Sequence, residues 1–225
     1  MATMMDNRMR GASSKVKCTI LQTSSLIVSL ILASSSPFRK ELLTKLGLEF
    51  LTHAPDINES QQPGETPEQL VHRLSQEKAR EVAKTKSGLI IASDQVATLA
   101  GGMNSKDKIL TKPLTHENGF KQLQQSSGNT VTFLTGLTLL NTNTGNIQTI
   151  VETFKVVFKT LTNTQINHYL KKEQPYNCAG SFKSEALGIG LFERLEGDDP
   201  NALIGLPLIQ LIKMLENEGV DILTS

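Results

Sequence analysis

Six consecutive residues near the start of the chain have the composition of an anion-binding site. They read Ser34-Ser35-Ser36-Pro37-Phe38-Arg39 and follow a short apolar run. A serine followed by proline is a typical helix start, and the free N–H groups of a helix N-terminus bind anions. The hydroxyl of Ser34 and the guanidinium of Arg39 would add donors suited to phosphate oxygens. The stretch therefore predicts a phosphate site, although a plain helix cap with a surface arginine has the same local spacing.

A lysine and two carboxylates could complete such a site. Lys78 lies four residues after Leu74 and four before Val82, so it shares the apolar stripe of a predicted helix and either reaches water or points into a cleft. Asp94 follows a buried strand, where open α/β sheets place functional side chains, although an aspartate there could also cap a turn. With Glu59 on the preceding polar loop, Asp94 could hold Mg²⁺ or Mn²⁺ against phosphate groups.

Two further lysines would supply cations, and several familiar catalytic motifs are missing. Lys112 follows a predicted flexible loop, and Lys183 lies in a glycine-rich stretch. The sequence has no G-x-x-x-x-G-K-[ST] loop, no G-x-S-x-G elbow and no H-E-x-x-H motif. Its four histidines are scattered, without the spacing of a Cys/His metal cluster. Any catalysis would therefore depend on carboxylates, lysines, an arginine and backbone amides.

The composition is that of a globular protein with balanced charge. Of 225 residues, 38% are hydrophobic and 20% are charged, and 23 Lys plus Arg stand against 22 Asp plus Glu. A nucleic-acid polymer is not an expected partner, because domains that bind one usually carry a basic excess. No apolar run reaches the roughly 18 residues of a membrane span, and two cysteines suit a reducing compartment. We therefore expect a soluble cytoplasmic protein that does not bind membranes.

The first 25 residues differ from the rest of the chain. They are polar and partly basic, and the apolar run over residues 26–33 that follows them imitates a secretory signal. That run is short, contains Ser29 and leads directly into the serine stretch, which a cleaved signal would remove or abut. We predict a disordered extension or an overlong start over residues 1–25, followed by a single domain over residues 26–225.

Strand and helix patterns are mixed along this domain, with a flexible loop predicted over residues 101–111 and a glycine-rich stretch over residues 180–205. Their order predicts an α/β protein with a mixed twisted sheet and helices on both faces. The strand at 89–93 is expected to end at Asp94. The predicted strands are residues 30–34, 49–53, 89–93, 131–139 and 147–158, and the predicted helices are residues 37–46, 67–84, 115–126, 162–173 and 206–218.

Taken together, several spaced segments resemble the Maf family of nucleoside-triphosphate pyrophosphatases. The resemblance covers about residues 30–220 and implies a fold similar to that of Maf and ITPase proteins, with two lobes around a central cleft. The matching segments are LILASSSPFR (30–39), QEKA (76–79), SDQV (93–96), KPLT (112–115), CAGSFKSE (178–185) and LFERLEGDDPN (191–201).

Within this family, the sequence is most similar to the branch that hydrolyses 7-methyl-GTP. That branch has an aromatic residue after Ser-Pro, a Gln after the catalytic Asp and a Glu after Ser-Phe-Lys-Ser, here Phe38, Gln95 and Glu185; the dTTP/UTP branch typically has Arg, Thr and Gln. Methylation makes the purine cationic, which favours an aromatic face and a carboxylate. Phe38 could instead pack in the core beside Leu42, and Glu185 could simply pair with Lys183.

The resemblance also implies a mechanism. Asp94 would be the proton acceptor for water attacking the α-phosphorus, giving a nucleoside monophosphate and pyrophosphate. A divalent cation, Mg²⁺, Mn²⁺ or Co²⁺, would be held by Asp94 and Glu59. The residues that would hold the substrate phosphates are Ser34, Arg39, Lys78, Lys112 and Lys183.

Three departures from the family pattern bear on the metal and the substrate. Asn58 stands where the family has Asp, Thr111 where it has Gly, and Phe38 where the branch commonly has Trp. Two other functions therefore stay open. One is a pyrophosphatase for dTTP, UTP or other modified nucleotides, and the other is a nucleotide-binding regulator of cell division without turnover. The oligomeric state is also open, with a homodimer as one candidate.

Overall fold

The computed structural model describes residues 29–100 and 108–224, together with four strand residues nearer the N-terminus. The extension predicted over residues 1–25 lies outside this part apart from strand β1, and most of the predicted loop at 101–111 also lies outside it. The described strands are β1 (Gln22–Thr23), β2 (Leu26–Ile27), β3 (Leu30–Leu32), β4 (Leu51–Thr52), β5 (Leu89–Leu99), β6 (Lys108–Leu110), β7 (Thr130–Asn141), β8 (Ile147–Phe158) and β9 (Phe192–Glu196).

Four helices, α1 to α4, begin where the capping signals of the sequence predict. Ser36, Thr66, Thr115 and Thr162 are N-caps, and each accepts a hydrogen bond from the backbone N–H three residues later. None of the helices in the described part is both long and apolar enough to cross a bilayer. The helices are α1 (Pro37–Thr44), α2 (Pro67–Ala83), α3 (His116–Ser126), α4 (Asn163–Glu173), α5 (Pro200–Ile204) and α6 (Leu208–Asn217).

One mixed sheet holds strands β3 to β9. Its order is β4-β3-β5-β7-β8-β9, with β6 also paired to β5. Strand β3 is parallel to β4 and β5, and the other pairs are antiparallel. Alternate residues of β3 and β5 face opposite ways, so that Ile31 and Ile90 pack with α2 while Leu32 and Ile91 pack with α1 and α6. The predicted fold class, a mixed sheet with helices on both faces, is confirmed.

Strand β5 does not end at Asp94, so that prediction is wrong. It pairs with β7 along its whole length, from Leu89 to Leu99. On its other side, β3 pairs only with Leu89–Ile91, and β6 pairs only with Ala97–Leu99. The centre of β5 therefore has a neighbouring strand on one side only, and a cleft opens there. This opening is lined by the polar residues that had suggested the end of a strand.

Two groups of buried side chains lie on either side of the opening. One surrounds β3 and the first half of β5 and includes residues of α1, α2 and α6. The other surrounds β6 and β9 and includes residues of α3 and α4. Strand β9, which the glycine-rich stretch did not reveal, adds Phe192 to this second core, where it packs edge-on against Phe158 and Phe182. The predicted arrangement of two lobes around a cleft is confirmed.

Helix α2 lies directly against β7 at Gly136. A Cβ atom there would lie 2.2 Å from the carbonyl oxygen of Val71 and 3.1 Å from the hydroxyl of Ser75. Gly136 is also the register partner of Asp94 on β5. The missing side chain therefore lets α2, which carries Lys78, approach the sheet beside Asp94.

We expect Gly136→Ala to lower the free energy of unfolding by about 1–3 kcal/mol, because the added methyl group must push α2 away from the sheet. Urea denaturation followed by circular dichroism would measure the change. Gly190→Ala is the matched control, since a Cβ atom at Gly190 meets nothing within 4 Å. Equal stability of the two variants would contradict this account of the packing.

Candidate active site

The structure brings all the predicted site residues to one cleft. This cleft has a volume of about 680 Å³ and opens beside the centre of β5. Segments from both lobes line it, including the serine stretch, the loop after β4 and the segment between α4 and β9. The predicted residues that line the cleft are Ser34, Phe38, Arg39, Glu59, Lys78, Asp94, Gln95, Lys112, Lys183 and Glu185.

The serine stretch forms a tight turn, and all of its residues line the cleft. The hydroxyl of Ser34 accepts a hydrogen bond from the N–H of Ser36 at 3.1 Å, and the hydroxyl of Ser36 accepts one from the N–H of Arg39 at 3.4 Å. The N–H groups of Ser35 and Phe38 have no acceptor within the described part of the chain. Two backbone donors at the start of α1 are thus available to an anion.

Lys78 points into the cleft and joins both predicted carboxylates. Its ammonium nitrogen lies 2.6 Å from Asp94 Oδ1 and 2.7 Å from Glu59 Oε1. The side chains of Lys78 and Asp94 are only 7% and 10% exposed, whereas Glu59 is 59% exposed. Asp94 is therefore a buried carboxylate held by a buried cation, with a second carboxylate reaching the same cation from the loop. Lys78 does not extend to water.

Arg39 is anchored across the cleft to the turn between α5 and α6. Its Nε donates to the carbonyl oxygen of Gly205 at 2.9 Å, and the hydroxyl of Ser93 donates to the same oxygen at 2.8 Å. Burial lowers the pKa of the Arg39 guanidinium, and the charges of Asp94 and Glu59 oppose that shift. Because Nε is engaged, the two terminal nitrogens are the atoms left to meet a phosphate group. Arg39 is therefore not a plain surface arginine, which was the alternative interpretation.

Gln95 is tied to the neighbouring strand β7 and to α5 through its amide nitrogen. This atom donates to Thr135 Oγ1 at 2.9 Å and to the carbonyl oxygens of Ala202 at 2.7 Å and Leu203 at 3.2 Å. The amide hydrogens are therefore used within the protein. The side-chain oxygen is the atom that Gln95 can offer to a ligand.

Phe38 lies at the cleft and not in the core. Its ring is half-buried and belongs to none of the hydrophobic clusters in the described residues, whereas Leu42, one turn later, is fully within the core. Ile204 lines the cleft with it. Phe38 therefore lines the cleft and does not pack in the core, contrary to the core-packing interpretation.

The segment after α4 supplies a cation and an exposed carboxylate. The ammonium of Lys183 donates to the carbonyl oxygen of Glu173, at the end of α4, at 3.0 Å. Glu185 is exposed and accepts a hydrogen bond from the hydroxyl of Ser184 at 3.3 Å. Lys183 and Glu185 form no ion pair with each other in this region, so their charges remain separate. Lys112, after β6, is an exposed cation on the same cleft.

Sequence reasoning missed several residues that shape the site. Thr135 and Gly205 act as hydrogen-bond acceptors for predicted site residues, as described above. Cys178 also lines the cleft, and burial raises the pKa of its thiol, which keeps it protonated and a poor nucleophile. The sequence signal that could have marked this turn is a glycine shortly after the Asp199-Pro200 helix start. In the structure, this Gly205 has a left-handed backbone (φ 116°).

The carboxylates of Asp94 and Glu59 are the residues that could hold a metal ion. No group of three or more His, Cys, Asp or Glu side chains with metal-binding geometry occurs in the described part of the chain. A metal here would need ligands from a second source, and phosphate oxygens are the usual partners of such carboxylates.

Comparison with known proteins identifies the family. Residues 29–218 match the family model described as Maf-like protein. A 7-methyl-GTP pyrophosphatase of Nitrosococcus oceani is 55% identical over 196 residues, which cover 87% of this chain and 96% of that protein. A protein of the same name from Vibrio cholerae is 52% identical over 194 residues, which cover 86% of this chain and 97% of that protein.

A solved structure, that of the Ham1 protein of Staphylococcus aureus, is also similar. Its TM-score is 0.49 at 15% sequence identity, over 84% of this chain and 99% of that one. The family itself is shown by the sequence matches, which extend over most of the chain. This chain belongs to the Maf family.

Proposed function

We propose that this protein is a nucleotide pyrophosphatase that hydrolyses 7-methyl-GTP to 7-methyl-GMP and pyrophosphate, and so removes a modified nucleotide. One observation carries the proposal: relatives that bear the name of this activity are 52% and 55% identical to the chain along nearly their whole length. The cleft supports it with cations suited to the phosphates, and with an aromatic ring and an exposed carboxylate suited to the base.

Donors suited to the phosphate groups line the cleft from both lobes. Arg39 and Lys78 come from the first lobe, and Lys112 and Lys183 come from the second. The free N–H groups at the start of α1 lie beside Arg39. Such preorganised donors would hold a triphosphate and stabilise the charge that develops on its oxygens during cleavage.

Asp94 is the residue best placed to accept a proton in the reaction. Its carboxylate is buried, accepts a hydrogen bond from the ammonium of Lys78 at 2.6 Å and lines the cleft. It would take a proton from a water molecule while the water oxygen bonds to the α-phosphorus and the bond to the bridging oxygen breaks. Pyrophosphate is then the leaving group. General-base catalysis of this kind contributes about 10²–10⁴ to the rate.

A divalent cation, Mg²⁺, Mn²⁺ or Co²⁺, fits the donors of the site. Both carboxylates reach the ammonium of Lys78 within 2.7 Å, so the two lie close to each other at the cleft. One or two carboxylates plus substrate phosphates is the usual ligand set of Mg²⁺. When bound, the ion would neutralise phosphate charge. Asn58 does not add to this set, because its side-chain oxygen accepts the N–H of Ser60 at 3.0 Å.

Phe38, Gln95 and Glu185 would select the base. A ring at the cleft would stack on the methylated purine, and a cationic base gains about 0.5–2 kcal/mol on such a face. The exposed carboxylate of Glu185 would accept from the guanine N1–H and exocyclic amine. Gln95 would offer its side-chain oxygen as a further acceptor.

We expect Asp94→Asn to reduce pyrophosphate release from 7-methyl-GTP by about 10²–10⁴-fold, because the amide cannot accept the proton. Glu117 is an exposed carboxylate of α3 that pairs with Lys121 one turn later, and Glu117→Gln should retain full activity. Circular dichroism would show that both variants are folded. Wild-type protein that binds nucleotides without releasing pyrophosphate would support the regulatory alternative instead.

Glu185→Gln should lower kcat/KM for 7-methyl-GTP more than kcat/KM for GTP, by roughly tenfold, because it removes a charge that favours the cationic base. A panel of 7-methyl-GTP, GTP, dTTP and UTP, assayed on wild type and variant, would measure this ratio. Equal or faster turnover of dTTP or UTP by the wild type would contradict the substrate assignment. An unchanged ratio in Glu185→Gln would indicate specificity for another modified base.

Chelation of divalent ions with EDTA should abolish turnover, and added Mg²⁺, Mn²⁺ or Co²⁺ should restore it. Glu59→Gln should raise the metal concentration needed for half-maximal activity by roughly tenfold, because one of two carboxylate ligands is lost. Glu117→Gln again serves as the control. Full activity in excess EDTA would show that these carboxylates act without a metal.

A further inference from the structure

The loop that carries Glu59 has little of the packing that normally fixes a functional side chain. Residues 53–65, between β4 and α2, contain no helix or strand, and none of them belongs to a described hydrophobic core. Residues 58–64 are all exposed. Even so, the carboxylate of Glu59 reaches the buried ammonium of Lys78 at 2.7 Å. Something other than apolar burial must hold the loop against α2.

Arg73, on the second turn of α2, supplies that hold. Its Nε and Nη2 donate to the two carboxylate oxygens of Glu65, at 2.6 Å and 2.8 Å, in a fork-to-fork pair. Nη2 also donates to the carbonyl oxygen of Ser60 at 3.1 Å, and Nη1 donates to Glu77 at 3.0 Å. The guanidinium thus contacts both the end of the loop and the residue next to Glu59.

Glu65 extends the contact into the loop. Its carboxylate accepts the N–H of Gln62 at 2.9 Å, and its backbone oxygen accepts the side-chain amide of Gln61 at 2.7 Å. The side chain of Glu65 is only 8% exposed, although its neighbours in the loop are in water. The hydrogen bond from Arg73 is the main reason that the pKa of Glu65 lies below its usual value.

These contacts are more than helix stability requires. An ion pair between Arg73 and Glu77, one turn apart, would stabilise α2 with one nitrogen of the guanidinium. The other donors are directed away from the helix, to the loop. Arg80 lies two turns after Arg73 on the same helix. In contrast to Arg73, it is exposed and forms no ion pair within the described residues.

We propose that Arg73 is a positioning residue, which fixes the loop through Glu65 and the carbonyl of Ser60 and so places Glu59 against Lys78 and Asp94. Its effect on catalysis rests on the proposed function, whereas its hold on the loop does not. Lysine cannot replace it, because an ammonium lacks the fork that meets both oxygens of Glu65 and a carbonyl together.

Hydrogen–deuterium exchange tests the hold directly and needs no substrate. In Arg73→Gln, peptides covering residues 56–66 should exchange roughly tenfold faster than in the wild type, while peptides of β5 stay unchanged. Arg73→Lys keeps the charge and should also speed exchange of the loop. It replaces Arg73→Gln in the experiment if that variant does not fold. Arg80→Gln removes the same charge from the same helix and should change neither region. Unchanged exchange of the loop in both Arg73 variants overturns the proposal.

A double-mutant cycle tests whether Arg73 acts through Glu59. Arg73→Gln should lower kcat/KM by roughly tenfold, and the double variant with Glu59→Gln should be no slower than Glu59→Gln alone. Losses that multiply, or a loss in Arg73→Gln with none in Glu59→Gln, overturn the proposal. If the wild type releases pyrophosphate from no nucleotide, the proposed function fails, and the exchange result alone then decides the role of Arg73.

Discussion

A buried ammonium sets the main constraint on this fold. The nitrogen of Lys78 can lie inside the protein only while carboxylates surround it, because an unpaired buried charge costs several kcal/mol. Asp94 meets it from the sheet and Glu59 from a loop. Helix α2 must therefore lie at a fixed distance from β5 and β7. Gly136 permits that close approach. The hydrogen bond from Thr138 to Ser75 at 2.9 Å joins the helix to the sheet near Gly136.

On another side of the cleft, side chains are held by hydrogen bonds to backbone carbonyl groups. The α5–α6 turn offers the carbonyl of Gly205 to Arg39 and Ser93, and that of Ala202 to Gln95. Asp199, which is 1% exposed, fixes this turn by accepting the N–H groups of Asn201 and Ile209, at the starts of α5 and α6. Segments near the two ends of the chain thus meet at the cleft, and the site forms only when the whole domain has folded.

Local signals in the sequence predicted local features well. A serine or threonine before a helix satisfies N–H groups three residues away, so the starts of α1, α2, α3 and α4 were visible without tertiary information. The resemblance to a family brought the cleft residues together, which their spacing alone did not. The course of β5 beyond Asp94 was not visible, because polar side chains in mid-strand break the apolar pattern. Their partners come from segments distant in sequence, Gln95 bonding to a carbonyl 107 residues further along.

The role of Arg73 was not predictable from sequence motifs for the same physical reason. In sequence it is one of several charged residues on an amphipathic helix, where arginine usually faces water. Its role depends on the direction of its nitrogens, which only the folded loop reveals. A carboxylate such as Glu59 must be ordered to contact a buried cation, and ordering it costs conformational entropy. A loop without a hydrophobic core can be ordered only by polar contacts. The charge pair between Arg73 and Glu65 supplies that order from the helix that already holds Lys78, so one element positions the cation of the site and also the loop carboxylate that reaches it.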